Sequence, residues 1–137
     1  MTRSERLAER LLEPLNPSLI VIFGVYTVVW GLWILCPFWD VFVAAPLYAT
    51  MAGIGSEYIW GTIATACGLI ICRGALKPSY RNIQLGALVG FFHWLVIATL
   101  YFMGDWTSTG GITSATFALY SAIVWVNIKV NKARYLS

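Results

Sequence analysis

At 137 residues the chain is one domain long, and its composition excludes an ordinary soluble fold. Hydrophobic residues make up 59% and charged residues only 11%, against about a quarter charged in soluble domains. The mean hydropathy is +0.74, and Trp, Tyr and Phe number seven each, side chains that membrane–water interfaces favour. The net charge of +3 is small, so its placement says more than its size.

The N-terminal stretch "TRSERLAERLLEPL" opens with Thr2 and Glu5 at capping-box spacing. Leu7, Leu11 and Leu15, with Ala8 and Leu12 beside them, share one helical face, while Arg6/Glu9 and Arg10/Glu13 pair on the other. The pattern predicts a short amphipathic helix stopped by Pro14, either lying in the membrane interface or packing on nearby loops. Its mixed charge argues against a polybasic lipid anchor. A cleavable signal peptide has an apolar region of about 7–15 residues and a small-residue cleavage site. The run here is longer, and "VAA" at 43–45 is followed by Pro46. The N-terminus is therefore expected to be retained.

A hydrocarbon core of about 30 Å takes about 20 helical residues to cross. Four runs meet that length. The first, 17–36 ("PSLIVIFGVYTVVWGLWILC"), has Asn16 as N-cap, Pro17 at its first position and Pro37 beyond its end. The others are 58–76, 83–103 and 111–128. Residues 37–57, "PFWDVFVAAPLYATMAGIGSE", are too apolar for a plain loop and too few for another crossing. Here Pro46 is expected to start a short helix ending at Gly53, seated in the outer interface by Phe38, Trp39, Phe42, Leu47, Tyr48 and Met51. A re-entrant segment is the alternative, since non-helical backbone at depth must be screened by protein or water. Asp40 and Glu57 read as solvated caps.

All nine Lys and Arg residues fall on one side of these spans: Arg3, Arg6 and Arg10; Arg73, Lys77 and Arg81; Lys129, Lys132 and Arg134. The other two connections carry Asp40, Glu57 and Asp105 and no cation. The positive-inside rule then puts both termini in the cytoplasm. The fold expected is all-α, an integral membrane four-helix bundle forming a single transmembrane domain over 1–137.

Helices in lipid associate where small residues let backbones approach. Each span offers such a ridge: Gly24, Thr27 and Gly31; Gly61, Ala64, Gly68 and Cys72; Gly86 and Gly90, a GxxxG; and Ser114, Ala118 and Ala122 with Ser121 alongside. The only histidine, His93, shares a helical stripe with residues 86, 90 and 97, so it is expected to be a buried polar group on the packed face. Ala98 lies off that stripe. An intramembrane ionisable group is a functional hypothesis by default, with ligand contact and proton transfer as the sharper readings. No Asp, Glu, Lys or Arg shares its depth to continue a proton path. A structural hydrogen bond to a hydroxyl of Tyr26, Thr27, Thr62, Thr65, Ser114 or Tyr120 is therefore favoured.

No catalytic constellation, carboxylate pair or phosphate loop is present, and no basic strip suits nucleic acid. Cys36, Cys67 and Cys72 have no metal-ligand spacing, and one histidine cannot supply a bis-histidine haem site. Neither a cofactor nor a metal is expected, and no enzymatic activity. The expected partners are membrane lipids and other membrane subunits or further copies of the chain, which acts through helix association.

The run "VVWGLWILCPFWDVF" followed by "YIWG" resembles small uncharacterised membrane proteins encoded by bacterial viruses, over residues 17–61. The resemblance carries no functional residue across. It implies a bacterial inner membrane and a lysis or exclusion role, so a holin-like pore former is the alternative function. A pore needs a polar stripe, and Thr109, Thr113, Thr116 and Tyr120 on the last span form a thin one.

Overall fold

A computed structural model describes residues 2–6, 16–76 and 79–132. Four long helices dominate it: α1 (Pro17–Leu35), α4 (Glu57–Leu76), α5 (Tyr80–Gly104) and α6 (Thr109–Val130). All four are long and apolar enough to cross a membrane. Between α1 and α4 come α2 (Val41–Ala44), a 3-10 turn (Pro46–Tyr48) and α3 (Ala49–Ile54). The described residues contain no strand.

Local chemistry accounts for the boundaries. Asn16 Oδ1 accepts from Ser18 N at 3.0 Å to start α1, and Pro17 occupies a position that has no hydrogen bond to lose. Pro37 forces the preceding residue out of the helical region, and Cys36 is accordingly extended at φ −63°, ψ 123°. At the α5–α6 turn, Asp105 Oδ1 accepts from Thr107 N at 3.1 Å and from Thr107 Oγ1 at 2.6 Å. Ser108 Oγ then caps α6 by accepting from Gly110 N at 3.1 Å. Helices α5 and α6 outrun the apolar stretches 83–103 and 111–128 at both ends. Helical hydrogen bonding does not stop where polarity begins, and residues such as Arg81 and Lys129 can turn their head groups to water from a terminal turn.

The connection between α1 and α4 folds back onto the bundle. The carboxylate of Glu57, in the first turn of α4, accepts from Phe42 N in α2 at 2.6 Å. Trp60 Nε1 donates to Met51 O at 3.1 Å, and Met51 is fully buried. A Cβ on Gly104 would lie 2.5 Å from Leu47 O. The 3-10 turn therefore sits directly on the end of α5.

Of the segment expected to form an N-terminal amphipathic helix, residues 7–15 lie outside the described residues. The capping box at its start is formed: Thr2 N donates to Glu5 Oε2 at 2.5 Å and Glu5 N to Thr2 Oγ1 at 3.3 Å.

Candidate functional site

The contacts between helices are the most distinctive feature of the molecule, and they are of two kinds. Helices α1 and α4 meet through backbone. A Cβ on Gly24 would come within 3.1 Å of Gly68 O, and one on Gly68 within 2.8 Å of Gly24 O. Gly31 and Gly61 repeat the relation at 2.8 and 2.9 Å. Each pair of glycines is seven residues apart on its own helix, and a seven-residue repeat keeps facing positions aligned along a left-handed crossing. Among the described residues no glycine has positive φ, so glycine serves here by leaving space, not by backbone freedom.

Helices α4 and α5 meet at Gly86, whose Cβ would lie 3.0 Å from Ile71 Cα. Helices α5 and α6 meet at Gly90, whose Cβ would lie 2.9 Å from Ser121 Oγ. Ala118 of α6 is buried. The ridges of α1, α4 and α5 are thus occupied within the chain.

The seam that closes the bundle between α1 and the α5–α6 pair is aromatic. Phe23 and Tyr26 of α1 pack on Phe117 of α6 with ring centres 5.6 and 4.6 Å apart, and Phe23 meets Tyr120 at 5.1 Å. Trp94 of α5 touches Tyr26, Trp30 and Phe117 at 5.0–5.9 Å. Through this cluster Trp94 Nε1 donates to Thr27 Oγ1 at 3.2 Å, and Thr27 Oγ1 donates to Phe23 O at 3.0 Å. Sequence reasoning missed this buried bond between helices. The signal was Trp94 itself, one residue from His93, together with Thr27 on the glycine ridge of α1.

His93 is 7% exposed, edge-on to the Trp30 ring at 5.8 Å. Its Nε2 has no hydrogen-bond partner in the protein, in contrast to the expected bond to a hydroxyl. Of the candidate hydroxyls, Thr27 is engaged with Trp94, Thr65 donates to Gly61 O at 2.8 Å, and Thr62 lies at the surface. Tyr120 Oη and Ser121 Oγ are likewise buried without a partner. Ser121 borders a cavity of about 10 Å³ between α1, α4, α5 and α6, about the size of one water probe. Asn127 of α6 is fully buried, a position sequence reasoning assigned to no site. Ala98, off the one-stripe reading of α5, is 3% exposed, because α5 contacts neighbours on more than one side.

Thr109, Thr113 and Thr116 lie together on the outward face of α6. Thr113 Oγ1 donates to Thr109 O at 3.0 Å and Thr116 Oγ1 to Ile112 O at 2.9 Å. The three cysteines are free thiols, and Cys72 Sγ donates to Val21 O at 3.8 Å. Among the described residues no group of three His, Cys, Asp or Glu side chains could hold a metal ion. No protein-family model, curated protein or solved structure matches the chain.

Proposed function

We propose that this chain is a non-enzymatic polytopic membrane protein that works by helix–helix association, as a homo-oligomer or as a small subunit of a larger membrane complex. The observation that carries the reading is the outward face of α6. Thr109, Thr113 and Thr116 form a stripe of small side chains at helical spacing, exposed where the ridges of the other helices are occupied. Small residues permit close backbone approach between membrane helices. The Thr113 and Thr116 hydroxyls donate to carbonyls of their own helix, so at those two positions the face can meet an apolar partner without an unpaired donor. The one-sided placement of Lys and Arg supports cytoplasmic termini. A bacterial inner membrane fits the resemblance of residues 17–61.

The same stripe favours a second reading, a holin-like pore in which copies turn these threonines toward water. Internal hydroxyl bonding and the aromatic filling of the bundle favour packing over pore lining. Native mass spectrometry of the detergent-solubilised protein tests the first reading. Wild type is expected above the monomer mass or with a co-purifying chain, and Thr113→Leu/Thr116→Leu is expected to lose that mass. A wild-type protein that is monomeric and alone refutes association. Loss of membrane potential on induced expression of wild type, absent in the double variant, selects the pore.

A further inference from the structure

The lateral surface between α5 and α6 carries two neighbouring cavities, with Leu88 and Trp125 lining both. The one nearer the termini holds about 600 Å³ and is bordered by Arg81, Asn82 and Gln84. The deeper one holds about 290 Å³, and its walls, including Phe92, Ala122 and Val126, are entirely apolar. Polarity therefore changes along the groove in the order a lipid presents it: head group first, hydrocarbon second.

The charge at the polar end has one sign. Lys129 Nζ lies 3.8 Å above the Trp125 ring and Lys132 Nζ lies 5.1 Å from the Tyr80 ring. Arg81 itself lines the groove, Lys129 lies over one of its wall residues, and Lys132 stands over Tyr80, the neighbour of Arg81; among the described residues no carboxylate pairs with them. The groove mouth also lies at the start of the 25-residue α5, where Ser79 makes no side-chain capping bond. The first backbone N–H groups of that helix are left to other acceptors, and its dipole favours an anion there. Basic pockets between membrane helices are a known form of anionic lipid recognition.

We propose that this groove binds one anionic glycerophospholipid from the leaflet on the termini side. Its phosphate lies at Arg81, Asn82 and Lys129, and an acyl chain fills the crevice between Phe92 and Trp125. A second copy of the chain is disfavoured as occupant, because a two-fold contact through this face sets the same cations against each other. The site is a ligand site beyond the association function proposed above, and the α6 threonines take no part in it.

The test is native mass spectrometry of the detergent-solubilised full chain, offered phosphatidylglycerol and phosphatidylcholine of equal acyl length in equal amounts. Wild type is expected to retain phosphatidylglycerol over phosphatidylcholine by about 10-fold or more, since each cation near an anionic surface is worth about 5-fold. Arg81→Gln/Lys129→Gln is expected to bring the two lipids level, and Ala122→Trp to reduce both by filling the crevice, with helical circular dichroism unchanged. Equal retention of the two lipids by wild type overturns the proposal even if a variant fails to fold. It is overturned as well by a preference that survives the double substitution, or by a dimer that forms only on lipid removal and is abolished by Ala122→Trp.

Discussion

A Cβ added at Gly31 would meet Thr65 N at 2.7 Å and Gly61 O at 2.8 Å. Those are backbone atoms, which cannot yield without separating the two helices. Gly31→Ala is expected to destabilise by about 1–3 kcal/mol, the usual cost of overpacking. Gly53 in α3 has nothing within 4 Å of the same position, so Gly53→Ala is expected to stabilise by up to about 1 kcal/mol through helix propensity. Thermal unfolding in detergent should show opposite signs for the two. A shared sign would remove the close-approach argument. At Thr27 the hydroxyl accepts from Trp94 Nε1. Thr27→Val leaves that indole N–H without its partner and is expected to cost about 1 kcal/mol, whereas Thr27→Ser retains the bond. His93 behaves in the opposite way. Its Nε2 has no partner in the protein, so His93→Phe removes a desolvated nitrogen while keeping a ring against Trp30. It is expected to be neutral or stabilising by about 1 kcal/mol. A clear loss of stability in that variant would mean that the imidazole has a partner outside this chain.

At the scale of elements, the connection between α1 and α4 is held by few bonds, and Glu57 makes the most exacting of them. Its carboxylate bridges fifteen residues back to Phe42 N at 2.6 Å, anchoring α2 against the first turn of α4. Glu57→Gln keeps an acceptor there and Glu57→Ala does not. Hydrogen exchange at the Phe42 amide is expected to quicken in Glu57→Ala by about 10-fold, matching about 1.5 kcal/mol for a bond to a charged acceptor, and to change little in Glu57→Gln. Equal exchange in the two variants would show that α2 is held by packing alone. Local pattern alone reads Glu57 as a solvated cap. Its role as a tether depends on a long-range return of chain that local pattern does not report.

Across the whole molecule, the backbone seam of α1 with α4 contrasts with the side-chain seam of α1 with α5 and α6. Among the described residues the ends of the bundle are chemically unlike, one carrying Arg73, Arg81, Lys129 and Lys132 and the other Asp40, Glu57 and Asp105. If the cationic end is cytoplasmic, alkaline phosphatase fused after Gly53 or Asp105 is active and fused after Lys77 or Ser137 is silent. Activity at residue 77 would overturn the arrangement, whatever the helix packing.

The existence and approximate position of the four long helices were legible in the sequence, because a bilayer demands an apolar run of a minimum length and because Asn16, Pro17 and Pro37 punctuate the first of them, while the full extent of α5 and α6 was not. The short helical connection after Pro46 was legible for the same kind of local reason. Which ridges meet was not. The sequence displays small residues on every span, but only three-dimensional packing sets Gly24 against Gly68 and Gly31 against Gly61. That pairing depends on the relative height and rotation of two helices, and period alone leaves both undetermined. The same holds for Thr27 and Trp94, sixty-seven residues apart yet joined at 3.2 Å, and for His93, whose stripe was readable while its lack of a partner was not. Hydrogen bonding between helices depends on where each side chain arrives, and that is decided only when all four are packed together.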